Sequence, residues 1–324
     1  MSCFQLLQTS TRASKAERDL IHFNTNKNTA MLDLQTNNPF FKFKVRNLFY
    51  CSCLIFVALD LVLGVIKSWL NWNSEDPIAT DIFYCLSMVL LCLWALRKLS
   101  QLSINSRYLI GKLPHGYSWL TLFGLVAALL LFSFGILLLT FYLLSLHSTS
   151  LAESLLEPLD AENPSTSSFP IISYLLYIFS SVVVAPVSEE FIFRGIFLHR
   201  WATKWGASRA ILVSSIIFGF LHIDFLGALV FGIVMALLYI KTRTLIVPMV
   251  AHAMNNTIVT AILLFSTDNN TSETTNFSEF WQLGLIFIVV SSPFVIYFIY
   301  KNWYSQRVSL PYFANAQVIN SIRQ

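Results

Sequence analysis

The run Glu189-Glu190-Phe191-Ile192-Phe193-Arg194 sets two carboxylates and a guanidinium into an otherwise apolar stretch. In a helix Glu190 and Arg194 stand one turn apart on one face and can pair, while Glu189 points about 100° away. One carboxylate is tied down and its neighbour is left free. Such a free acid against an apolar wall suits a general base working near neutral pH. The plain alternative is an interfacial acid pair that meets basic residues, since structural ion pairs look the same in sequence. His222 follows Phe218 by four residues, so a ring on the same helical face can fix the imidazole, although a histidine near a turn is as readily structural. His252 and Asn256 are also four apart and offer two hydrogen-bond donors on one face. That pair suits a developing oxyanion, or simple polar contact between helices. Asn255 points elsewhere and reads as such contact. Asp60 has no partner that the sequence names.

The elements that must position these groups are membrane helices. Of 324 residues, 56% are hydrophobic and 12% charged, about half the ~25% charge of soluble chains. Soluble, fibrous and disulfide-stapled classes are thereby excluded. Four of the five cysteines (Cys3, Cys51, Cys53, Cys85 and Cys92) lie in apolar runs without metal-knuckle spacing, and read as small core residues. A net charge of +4 is too mild to argue for nucleic acid. Every ionisable group inside a bilayer segment is therefore a functional candidate.

Eight apolar segments are read at 47–66, 80–96, 118–146, 169–188, 210–222, 225–240, 245–265 and 281–300, which predicts an all-α, polytopic transmembrane bundle of about eight helices. The fifth and sixth are short, and only Ile223 and Asp224 separate them, so that turn is expected within the protein. Basic residues gather in the tail before the first segment, in alternate connections and after the last segment, while the other connections are acidic. Both termini are expected in the cytoplasm. By this reading residues 1–46 are a polar, basic tail expected to be disordered, and 47–168 carry the N-terminal helices. Residues 169–265 form the catalytic core, and 266–324 the last helix and a cytoplasmic tail. The tail's acid-poor start also fits a transit peptide. Asn269, Asn270 and Asn276 head glycosylation sequons on the outer side. Measured from the nearest cytoplasmic basic residue, Glu189, His252 and His222 lie roughly 7, 13 and 20 Å deep at 1.5 Å per residue, so all three are reached from the cytosolic side.

Taken together, EExxxR (Glu189 to Arg194), FxxxH (Phe218 to His222) and HxxxN (His252 to Asn256) resemble the CPBP family of intramembrane proteases. That family includes the type II CAAX prenyl endopeptidases and the Abi or bacteriocin-immunity proteins. The resemblance covers roughly residues 170–265. It implies that Glu189 and His222 hold and activate the attacking water, that His252 and Asn256 stabilise the oxyanion, and that Glu190 and Arg194 organise the site. It also implies a membrane-associated protein or peptide substrate, prenylated in the family's eukaryotic members. Members have been described as metalloproteases, for which Glu189, His222 and His252 would be the zinc set. No HExxH helix is present, and a metal-independent, glutamate-type hydrolysis is the favoured expectation, with no cofactor. A transporter or proton relay, and a non-enzymatic binding or immunity factor, are the rival readings.

Overall fold

The computed structural model describes residues 38–72, 76–161, 164–266, 277–304 and 309–323. The sequon asparagines Asn269, Asn270 and Asn276 and residues 1–37 lie outside them. In chain order the helices are α1 (Val45–Leu70), α2 (Pro77–Gln101), a short α3 (Ser106–Ile110), α4 (Trp119–His147), α5 (Thr149–Ala161) and a long α6 (Pro170–Trp205). There follow α7 (Ala207–Phe220), α8 (Phe225–Thr242), α9 (Ile246–Ser266), α10 (Phe280–Asn302) and α11 (Pro311–Arg323). Among the described residues, seven of these are long and apolar enough to cross a membrane, and α7 is the short apolar eighth segment. The chain is a multi-pass membrane protein built as a helical bundle.

Helix starts follow local capping. α2 begins at Pro77, earlier than the apolar run suggests, because the Asp76 carboxylate caps the Ile78 N–H at 3.1 Å and Pro77 is preset for a first turn. Asp81 is a buried residue of that helix. Residues 38–46 differ from the disordered tail expected there. A turn at Pro39–Lys42, capped by Asn38, buries Phe40 and Phe43, and Phe40 stacks on the His199 ring at 5.0 Å and meets Tyr312 edge-on at 5.1 Å.

Lipid tails are as apolar as leucine, so helices here associate by close packing and polar contact rather than by escape from water. The α4–α10 crossing shows the first kind. A Cβ on Gly135 would lie 2.8 Å from the Gly284 carbonyl oxygen, and one on Gly284 would lie 2.9 Å from that of Gly135, so the two backbones touch where no side chain intervenes. The largest buried cluster sits elsewhere, around α6, α7 and α8, and α8 is the most enclosed of the spanning helices.

Candidate active site

The site is built around irregularities in α6. The fourth apolar segment does not stop at residue 188. The helix runs on to Trp205 and ends only at Gly206, whose φ of 82° leaves the helical region, so Glu189, Glu190 and Arg194 lie in mid-helix. Two stretches of α6, Ser180–Val184 and Phe191–Phe197, widen into π geometry, in which N–H groups reach back five residues. The Ala185 N–H reaches the Ser180 carbonyl in this way. The next donor in that register would be residue 186, but Pro186 has no N–H. The Ser181 carbonyl accepts instead from the Asn256 side-chain amide of α9, at 2.8 Å. A missing hydrogen atom on one helix thus becomes a polar tie to another.

Beyond Pro186 the two acids diverge as their spacing dictates. The Arg194 guanidinium donates to Glu190 Oε1 at 2.8 Å and to the Gly232 carbonyl of α8 at 3.2 Å, and it stands 4.6 Å over the Phe218 ring. Arg194 and Glu190 are both almost fully buried. A buried pair of this kind is costly where an acceptor is left over, and the buried Glu190 Oε2 has no hydrogen-bond partner in the protein. His252 adds a further contact, its Nδ1 lying 3.0 Å from Glu190 Oε1. Facing a carboxylate at that distance, Nδ1 is the protonated nitrogen and donates. Nε2 then faces the second acid, 3.9 Å from Glu189 Oε2. That is too long for a direct bond and short enough for one water to bond both.

Glu189 is held differently. Its Oε1 accepts from the Tyr84 hydroxyl of α2 at 3.1 Å, whereas its buried Oε2 has no hydrogen-bond partner in the protein. Tyr84 escaped the sequence reading because a lone tyrosine in an apolar helix carries no spacing signal. His199 was missed as well. Its Nδ1–H is shared between the Gly195 and Arg194 carbonyls at 2.9 and 3.2 Å, within the second widened stretch, and its Nε2 accepts from the Tyr312 N–H at 3.3 Å. This histidine fastens α11 to α6 and is not a member of the carboxylate cluster.

His222 lies in the turn after α7, exposed, with Nδ1 on the Phe218 carbonyl at 2.8 Å and its ring 4.4 Å from the Phe218 ring. Phe218 also meets the His252 ring edge-on at 6.0 Å, so His222 is joined to the cluster through one phenyl group. Among the described residues no three of His, Cys, Asp and Glu stand together as a metal-holding group. The set Glu189, His222 and His252 is therefore not gathered as a zinc site requires in this arrangement. The Asn256 side-chain amide donates to the Ser181 carbonyl at 2.8 Å, and Asn255 donates to the Asn256 side-chain oxygen at 3.3 Å. Asp60 is exposed on the apolar surface of α1.

Residues 171–258, which contain every one of these motif positions, match the family model described as type II CAAX prenyl endopeptidase Rce1-like. This core is similar to the Rce1-like endopeptidases. Over 92 residues the chain is 39% identical to YdiL of Bacillus subtilis (strain 168), provisionally named a membrane peptidase; the alignment covers 28% of this chain and 38% of that relative's length. No solved structure matches the chain significantly. The Rce1-like match leaves α1, α2, α4 and α10 outside, although α2 supplies the donor to Glu189.

Proposed function

We propose that the protein is an intramembrane endopeptidase, open to the cytoplasmic side, that hydrolyses a peptide bond of a membrane-associated protein or peptide. The observation that carries this reading is the asymmetry of the Glu189 carboxylate. One oxygen is fixed, and the other is buried, unpartnered and 3.9 Å from His252 Nε2. Water placed on that oxygen would lose a proton to Glu189 as its own oxygen bonds the scissile carbonyl carbon. The resulting tetrahedral adduct would break its C–N bond as Glu189 returns the proton to the departing amine. His252 would act as an imidazolium, with Nδ1–H on Glu190 and Nε2–H facing the oxyanion, and His222 would help to hold the water. Asn256 would join as a second donor on leaving Ser181. The Glu190–Arg194 pair keeps His252 oriented. Enclosure by apolar helices strengthens each of these interactions. No step passes through a metal ion.

The match to Rce1-like endopeptidases supports a CAAX-type substrate and makes a prenylated peptide the first probe. Proteoliposomes of the parent chain and of Glu189→Gln, His222→Ala and His252→Ala are to be assayed with a farnesylated, internally quenched CAAX peptide and its unprenylated counterpart. New protein N-termini in expressing membranes would be read in parallel. Cleavage should vanish with Glu189→Gln and persist in chelator. Full activity in any one variant removes that residue from the mechanism. Zinc-restorable loss in chelator replaces the metal-free route, and identical N-termini with and without Glu189 defeat the proteolytic assignment.

A further inference from the structure

We propose that Tyr84 is the positioning residue of Glu189: a phenol supplied by α2, from outside the matched core, fixes one carboxylate oxygen and thereby aims the other. The inference rests on the proteolytic reading and deepens it. Glu190 is oriented by two strong partners, Arg194 and His252, both within the matched residues. Glu189 has no comparable partner. Its only hydrogen bond among the described side chains is the one from Tyr84, at 3.1 Å. A glutamate end group turns almost freely about its last torsion, so without a donor the carboxylate plane would not be fixed and neither oxygen would be held toward His252. A donor to a charged acceptor in an apolar setting is also among the stronger hydrogen bonds available.

The height of Tyr84 is itself set. One turn earlier on α2, the Asp81 carboxylate accepts from the Ser180 hydroxyl at 2.6 Å, and Ser180 opens the first widened stretch of α6. Its neighbour Ser181 is the residue tied to Asn256. α2 is thus pinned to α6 on two levels, at Ser180 and at Glu189, and it cannot slide along α6 without breaking one of them. The recognisable motifs supply the reacting groups, and an unmatched helix selects the rotamer in which they can react.

The test compares Tyr84→Phe, which keeps the ring and removes the hydroxyl, with Glu189→Gln and with the double variant, all full-length in nanodiscs. Infrared difference spectra identify the Glu189 carboxyl band by its loss in Glu189→Gln, and this band should move in Tyr84→Phe. With the farnesylated CAAX peptide as probe, kcat should fall by about tenfold or more, the loss expected for a hydrogen bond to a charged group, with KM within about twofold and the melting temperature unchanged. In the Glu189→Gln background, Tyr84→Phe should add nothing. An unmoved band, an unchanged kcat, or a fall in kcat matched by a fall in melting temperature overturns the proposal. The two readings fail separately. Glu189-dependent cleavage with a band indifferent to Tyr84→Phe sinks the positioning role alone, whereas a shifted band in a protein that cleaves nothing sinks the proteolytic reading alone.

Discussion

At the scale of single residues, Arg194 is the most exposed to consequence. It is nearly fully buried, and its charge is answered by Glu190, by the Gly232 carbonyl and by the face of Phe218. Removing one member of such a pair strands the other charge out of reach of water. Arg194→Met is expected to destabilise the fold by about 3–5 kcal/mol, and the double variant with Glu190→Gln to recover part of that loss because no lone charge remains. Thermal unfolding in detergent checks both. A double variant no more stable than Arg194→Met would show that the pair is not what the cost measures. The pairing was legible, since four residues of separation in a helix leave little freedom. The company of His252 was not, because nothing in a sequence says which of two adjacent acids an imidazole 62 positions away will choose.

At the scale of elements, the head of α2 shows how a polar cap joins segments distant in the chain. Asp76 accepts from the Trp72 side chain, the Ile78 N–H, the Ser167 hydroxyl and the Ser168 N–H, so the start of α2 is stitched to the turn that precedes α6. Burial pushes the Asp76 carboxyl up, but these four donors outweigh it and hold the group below its ordinary value. The sign follows from linkage. A carboxyl depressed in the folded state adds stability that is fully present above its unfolded value of about 3.9, and that is lost as pH falls through the lower folded value. Asp76→Asn should therefore be less stable than the parent at neutral pH, with a gap that narrows below about pH 3.9, where the parent also protonates. A gap that stays constant across the titration would remove the charge from the explanation. The eight helical segments were readable from hydropathy alone. The continuation of α6 past its acids was not, because charges normally mark the end of a span, and here Glu190 and Arg194 hide one another. The two widened stretches were equally invisible, although Pro186 is a cue to local departure from α geometry.

At the scale of the whole molecule, the bundle divides into a polar seam and a packed flank. The seam runs from α2 through α6 to α9 and carries the candidate chemistry. The flank is α4 against α10, where Gly135 and Gly284 bring two backbones together. A side chain there has no space to enter, so Gly135→Leu should cost about 1–3 kcal/mol by forcing the helices apart. It should leave the response of the candidate site to Glu189→Gln unaltered, since neither helix supplies a group to it. Lower thermal stability with unchanged kcat is the expected pair of readings, and a loss of kcat at full stability would place the flank in the reaction. Helix crossing partners of this kind follow from contacts between residues 149 positions apart, which no local pattern encodes.

One ring lies where several of these helices meet. Phe218 has Phe193 on one side, Phe231 on another, and the imidazoles of both His222 and His252 within range of its π cloud. Its circulating electrons must therefore displace the resonances of both histidines together. A single fluorine on that phenyl group would act as a magnetic witness to the two imidazoles, registering the turning of either one when a peptide arrives.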